Sequence, residues 1–344
     1  MFRSFLAVVF LLAVLVCVLS SGAAAQSNPS CVEYFQYCIA CGDPPIPGQG
    51  NCVTEGSYLS LCQIPNNHCA PAAAAQETNC GPCPYCNGHG SGGSPISLAS
   101  GNTYIEETDV RLPGLSGGLT LLRTWNSMWP STQSALQIGM FGPNWRSNFE
   151  ERVFLGSDRY MKYGRGDGSF WSFGHGGGGW TSVAPANSSA TLTQGASYWT
   201  ITFRNGERRL FDNASGKLID IIDRNGNTTQ LSYDSLGRLV TITDPVSRHL
   251  YFSYGTGSGS LVTGVSSDAS LSLSYSYDTQ GRLIQYAKPD QTTVSFQYDG
   301  HSLISLVTDQ NGKTLESHTY DTSGRGLTSA RAGGVDALTI TYPN

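Results

Sequence analysis

The residues with the richest chemistry stand close together. Nine of the ten cysteines, Cys31, Cys38, Cys41, Cys52, Cys62, Cys69, Cys80, Cys83 and Cys86, crowd one stretch. Disulfides need proximity and an oxidising compartment, and nine cysteines leave one thiol over or one bridge to another chain. Zinc needs thiolates at knuckle spacing, which Cys38/Cys41 and Cys80/Cys83/Cys86, with His89 close by, provide. A redox dithiol needs a low-pKa thiolate at a helix N-terminus. Cys80-Gly81-Pro82-Cys83 and Cys83-Pro84-Tyr85-Cys86 have that spacing but no strand–helix–strand frame around them. The expectation is disulfides without metal or cofactor, the pairing not being readable from spacing.

Carboxylates offer less. Glu106/Glu107 and Glu150/Glu151 invite comparison with a glycosidase acid/base pair, but neighbours on a strand face opposite ways, so only Glu107 and Asp109 can converge. Solvated strand-edge charges are the expected role. Asp223-Arg224-Asn225-Gly226-Asn227 has the oxygen ligands of a calcium loop without its later Gly and Glu, and a hairpin turn explains the same residues. His175, His249, His301 and His318 are scattered, and no nucleophile–base motif or phosphate loop appears. The sequence therefore predicts no enzyme. Asn187, Asn213 and Asn227 sit in N-x-S/T sequons.

The compartment follows from residues 1–25. Arg3, an apolar run from Phe5 to Leu19 and Ala23-Ala24-Ala25 before Gln26 have the order of a secretion signal. The apolar run is shorter than the ~20 residues a membrane helix needs. Cys17 as a lipid-attachment site is disfavoured by Val16, where a small residue is wanted. The expected protein is secreted or cell-surface, with no membrane contact after cleavage. A net charge of −5 and only 13% charged residues argue against a nucleic-acid partner, and 41 glycines with 17 tyrosines suit a β-rich exported chain.

The elements that must position these residues are strands. Leu250, Phe252 and Tyr254 alternate, as do Leu271, Leu273, Tyr275 and Tyr277, then Val294, Phe296 and Tyr298, then Leu338, Ile340 and Tyr342. Each run ends in one phrase: Tyr233-Asp234-Ser235-Leu236-Gly237-Arg238, Tyr277-Asp278-Thr279-Gln280-Gly281-Arg282, Tyr320-Asp321-Thr322-Ser323-Gly324-Arg325. From Phe211 through Tyr233, Tyr254, Tyr277, Tyr298 and Tyr320 to Tyr342 the steps are 22, 21, 23, 21, 22 and 22 residues. A constant step signals a repeat array. Asp can cap the turn with its carboxylate, Gly supplies positive φ, and Arg-Leu opens a return strand such as Leu239 to Thr243. Upstream, Ser169 to Phe173, Ala190 to Leu192, Tyr198 to Phe203 and Glu207 to Phe211 read as a meander. A two-residue turn is expected at Asn205-Gly206, and a flexible loop at Gly174 to Gly179.

The phrase resembles the YD repeat of the RHS (rearrangement hot spot) family over residues 205–344. Pro95 to Asn102, Arg123-Thr124-Trp125-Asn126-Ser127 and Gly142 to Trp145 resemble the domain that precedes those repeats. The resemblance implies a spiralling β-sheet closing into a hollow shell, which encloses a toxin or serves cell-surface adhesion. It also implies a structural cap on the first turn.

The chain is thus expected to be mainly β, an extended coiling antiparallel sheet with an N-terminal β cap and a disulfide-rich, loop-rich segment. The divisions are 1–25 signal, 26–93 cysteine-rich segment and linker, 94–204 cap, and 205–344 repeats. Only Pro343 and Asn344 follow Tyr342, so an incomplete array is expected, its last strand open to more shell sequence or another chain. Exposed aromatics such as Tyr251, with Trp171, Trp180 and Trp199, could stack on surface glycans, core packing being the commoner use.

Overall fold

The computed structural model describes residues 91–342 apart from 93–94, 99, 130–135, 157–159, 177–178, 185–187, 256 and 258. They belong to a compact unit spanning Pro71–Asn344. The secretion signal with Cys17, and every disulfide and zinc candidate from Cys31 to Cys86, lie outside the described residues.

The first strands form the cap. β1 (Ser91–Gly92) pairs with β2 (Ile96–Ser97). β3 (Tyr104–Leu112) and β4 (Leu119–Asn126) form a hairpin; β5 (Ile138–Gly139) and β6 (Gly142–Pro143) form another, and β7 (Trp145–Ser147) adds to β4. Alternation places Leu119, Leu121, Arg123 and Trp125 of β4 inward, all fully buried.

From Arg152 onward one antiparallel sheet takes the rest of the chain. Its strands are β8 (Arg152–Leu155), β9 (Met161–Gly164), β10 (Phe170–Gly176), β11 (Gly179–Ala184), β12 (Thr191–Gln194), β13 (Tyr198–Thr202) and β14 (Arg208–Asp212). Then come β15 (Leu218–Ile222), β16 (Thr228–Tyr233), β17 (Leu239–Thr243), β18 (His249–Tyr254), β19 (Val262–Ser267) and β20 (Ser272–Tyr277). The series ends with β21 (Leu283–Ala287), β22 (Thr293–Tyr298), β23 (Ile304–Asp309), β24 (Thr314–Tyr320), β25 (Gly326–Arg331) and β26 (Leu338–Thr339). Each strand pairs with the next, which is the mainly β, coiling antiparallel sheet expected. Short 3-10 turns lie at Leu115–Gly117 and Ala332–Gly334, and no α-helix occurs among the described residues.

The sheet closes on itself once. Arg152 bridges Lys217, the Val153 N–H donates to the Gly216 carbonyl at 2.9 Å, and the Leu218 N–H to the Glu151 carbonyl at 3.2 Å. β8 therefore lies beside the start of β15, and β8 to β15 form a ring from which β16 to β26 continue the coil. Among the described residues no ladder joins β26 back to β8.

Two local expectations change. The glycine-rich stretch is a hairpin, with β10 and β11 paired from His175↔Trp180 to Gly176↔Gly179; glycine does not prevent ladder bonds when both neighbours supply them. Asn205-Gly206 is the end of a three-residue loop. The Phe203 N–H donates to the Glu207 carbonyl and Gly206, at φ 85°, supplies the left-handed position.

The cap spans the array instead of sitting only on its first turn. The Gly326 N–H donates to the Gly101 carbonyl at 2.8 Å, and the Val262 N–H to the Met140 carbonyl at 2.8 Å. Gly142 lies so close to the Gly281 carbonyl that a Cβ there would fall 2.6 Å from it. One apolar core joins Trp125, Phe141 and Trp145 of the cap to Tyr275, Phe296 and Val307 of the repeats. The cap thus packs against the inner face of the repeat sheet at these residues.

Candidate functional site

The repeat phrase is a chain of interlocks. The hydroxyl of Tyr277 donates to the Val262 carbonyl at 2.7 Å, fifteen residues back. Tyr233, Tyr254, Tyr298, Tyr320 and Tyr342 do the same to Leu218, Leu239, Leu283, Ile304 and Gly326. Each Tyr thereby pins the start of the return strand one repeat earlier. Burial pushes the Tyr277 hydroxyl far above its ordinary range, so it stays a donor.

Asp and Arg complete the lock. One oxygen of Asp278 accepts the N–H groups of Gln280 and Arg282 at 2.9 Å each, and the other accepts Arg282 Nε at 2.6 Å. Asp234 with Arg238 and Asp321 with Arg325 repeat this pattern. The Arg238 N–H, followed by its guanidinium, holds Asp234 below the usual carboxylate range. At Asp278 and Asp321 a burial penalty is outweighed by the same bonds. Each arginine then lies over the next tyrosine: Arg238 on Tyr254, Arg282 on Tyr298, Arg325 on Tyr342, at 4.7, 4.7 and 4.1 Å.

Gly237, Gly281 and Gly324 occupy the left-handed region at φ 74°, 75° and 80°. Their N–H groups donate to the Asp carbonyl three residues back, giving a type I turn closed by a bulge. The alternate hairpins use the same turn with Ser247, Gln291 or Ser302 at the positive-φ place.

The bulkiest fully buried polar side chain among the described residues is in the cap. Arg123 is wholly buried; its Nη2 donates to Asp109 Oδ1 at 2.8 Å and its Nε to Asp109 Oδ2. Its guanidinium carbon lies 4.7–5.2 Å from the ring centres of Phe141, Trp145, Tyr275 and Tyr286. The Tyr275 hydroxyl donates to Asp109 Oδ2, and that of Tyr286 to Glu107 Oε2, both at 2.7 Å. Burial disfavours the Arg123 charge, but Asp109 more than offsets this and its pKa rises. Burial raises Glu107, with Arg123 and the Tyr286 bond opposing. The sequence signal for Arg123 is its place between Leu121 and Trp125 on the apolar side of an alternating strand.

The remaining candidates resolve individually. Glu107 and Asp109 do converge, yet on Arg123. The solvated role expected for the acidic pairs is corrected. Glu150 accepts the N–H groups of Met140 and Ser147 at 2.7 and 2.8 Å, while Glu151 accepts the Tyr163 hydroxyl and Arg209 Nε at 2.7 and 3.2 Å. Only Glu106 of the four is exposed. Asp223 spends both oxygens on Asn225, Asn227 and Ser116, which draw its pKa down to about 2; this is the hairpin, not the calcium loop. Asn213 Nδ2 donates to the Gly195 and Ala196 carbonyls, and Asn227 Nδ2 to Asp223, so both sequon nitrogens hold turns. Trp171 is buried, and Trp180 and Trp199 pack edge to face at 6.3 Å, whereas Tyr251 is partly exposed against His249.

Known proteins match this arrangement in the same order along the chain. Residues 93–173 match a family described as "Domain of unknown function (DUF6531)", and residues 213–248 match the RHS Repeat. The chain thus carries an RHS repeat behind a DUF6531 domain. Its curated relatives include the "tRNA nuclease WapA" of Bacillus subtilis (strain 168), 26% identical over 262 residues. The "tRNA3(Ser)-specific nuclease WapA" of Bacillus spizizenii has the same identity and span. This chain spans 11% of the length of these relatives, which match 70% of it. Among solved structures it is similar to "TcdB2-TccC3", with 14% identity, 68% of this chain and 12% of that one covered, and a TM-score of 0.27. The Photorhabdus luminescens Tc holotoxin pore carrying TccC3-D651A gives 11% identity, 65% and 14% coverage and a TM-score of 0.24.

Proposed function

We propose that the chain is an exported structural and interaction module that does no catalysis of its own. Its cap and YD-type repeats build part of a β-sheet shell or a cell-surface adhesion surface. The observation that carries this reading is the use made of the repeat's polar groups. Tyr hydroxyls hold backbone carbonyls, Asp carboxylates hold turn N–H groups, and Arg side chains bind Asp and cover the next Tyr. Groups committed in this way build a wall and leave nothing free to attack a substrate.

The partners proposed are further shell sequence or a second chain at β26, and surface glycans. β26 forms a ladder with β25 alone among the described residues. No group of three His, Cys, Asp or Glu suited to a metal occurs among the described residues either. A secretion signal at residues 1–25 and an oxidised, metal-free cysteine segment belong to this reading. A thiol count near one per exported chain, without zinc by elemental analysis, is its expected signature.

A second reading is favoured by the similarity to proteins named as tRNA nucleases: this chain is the carrier part of a delivered toxin. Incubating the exported protein with tRNA and with polysaccharides separates the readings. No turnover is expected. Turnover abolished by Glu107→Gln with the fold intact would make the chain an enzyme.

A further inference from the structure

The cap and the first repeats line a cavity of about 270 Å³ whose charged residues are mostly cationic. Arg146 and Arg152 come from the cap side, and Lys217 and Arg238 from the repeats, with the Tyr233 and Tyr254 rings between them. Two charges there are already matched: Arg238 by Asp234, and Glu151 by Arg209. That leaves Arg146, Arg152 and Lys217 against the carboxylate of Glu150, which is itself occupied by two backbone N–H groups.

The three cations donate hydrogen bonds only to carbonyls, and the Lys217 ammonium also lies 5.4 Å from the Tyr233 ring centre. Arg146 donates to Leu136 and Glu150, Arg152 to Ser215, and Lys217 to Gly237. Arg146 is 5% exposed, yet its Nε has no acceptor in the protein, and neither has the buried Nε of Arg152. A buried guanidinium N–H without an acceptor is costly. Burial also lowers the pKa of Arg146, Arg152 and Lys217, and the cations depress one another: Arg146 lowers Arg152, and Arg152 lowers Lys217. Grouped like charges beside an open volume are the converse of the repeat lock, where each arginine meets an aspartate.

We propose that this cavity is a binding site for a phosphate group, free or carried on a sugar. Guanidinium groups present planar forks of N–H donors that match phosphate oxygens, and a lysine adds a compact charge. Tyr233 and Tyr254, whose hydroxyls are fixed on Leu218 and Leu239, lie under Lys217 and Arg238 and hold those two cations at the cavity.

Thermal unfolding and titration calorimetry of the full exported chain test this, with inorganic phosphate, glucose 6-phosphate, glucose and chloride at matched ionic strength. Phosphate and glucose 6-phosphate are expected to raise the midpoint over chloride, and glucose is not. A tighter Kd for glucose 6-phosphate than for phosphate assigns a sugar-borne group, and equal values assign the free anion. Lys217→Gln is expected to weaken phosphate about tenfold, as loss of one charge-assisted contact does. Arg152→Gln with Lys217→Gln is expected to abolish binding, while Arg248→Gln outside the cavity leaves it unchanged. Should the double variant fail to fold, Lys217→Gln alone decides. Equal midpoints in phosphate and chloride, or an unchanged Kd in Lys217→Gln, would overturn the assignment.

Discussion

Arg123 of the cap and Tyr275 of the repeats share one carboxylate: both donate to Asp109 Oδ2, the first from 14 residues away along the chain and the second from 166. The ion pair is therefore the joint between cap and array, not a feature of the cap alone.

Asp109→Asn is expected to destabilise the fold by about 3–5 kcal/mol, because it leaves a buried guanidinium without its counter-charge. Arg123→Met combined with Asp109→Leu is expected to recover most of that loss. Urea midpoints for the two singles and the double form the test, and strictly additive losses would show that the two groups do not act as a pair.

The tyrosine clamp predicts a modest, position-specific loss. Tyr277→Phe leaves the Val262 carbonyl without its donor and is expected to cost about 1–2 kcal/mol. Tyr251→Phe, whose hydroxyl reaches exposed Asp268, is expected to change stability by less than about 0.5 kcal/mol. Denaturant midpoints that move equally for both would remove the clamp's role.

The turn glycines carry geometry. Gly281→Val places a β-branched residue at φ 75° and is expected to lose about 1–3 kcal/mol. Ser235→Ala, at an exposed turn position, is expected to leave the denaturant midpoint where it was.

Acid should unlock the repeats. Asp234, Asp244, Asp278 and Asp321 are all held below the ordinary range, so their contribution is complete above the unfolded value near about pH 4 and drains away as pH falls through the depressed folded values. Glu107 and Glu151 act in the opposite sense: burial raises them, and protonation on acidification relieves a penalty. The stability difference between wild type and Arg282→Gln is expected to be flat above about pH 5 and to shrink below about pH 4. A difference independent of pH down to the acid transition would mean that the Asp278–Arg282 bonds are not linked to stability.

The β26 edge should pair. Association of the isolated chain in sedimentation experiments is expected, with Ile340→Lys shifting it toward monomer. A stable monomer unaffected by the substitution would show that the edge protects itself.

Residue order alone determined the array: alternation fixed which side chains face inward, the 21–23-residue step fixed the repeat, and Asp with Gly fixed where each turn falls. These are readable because strand period and turn geometry depend on residues within a few positions of one another. The Tyr-to-carbonyl bond, fifteen or sixteen residues back, already exceeds that range. Only the tertiary structure decided where the charges go. Glu107 and Asp109 read as solvated edge residues until Tyr286 and Tyr275, 179 and 166 residues further along, close over them. The same holds for Arg152 and Lys217, which share a cavity only because β8 returns to the start of β15. Burial and ion pairing depend on what the fold brings near, and a buried charge is tolerable only when its partner arrives with it.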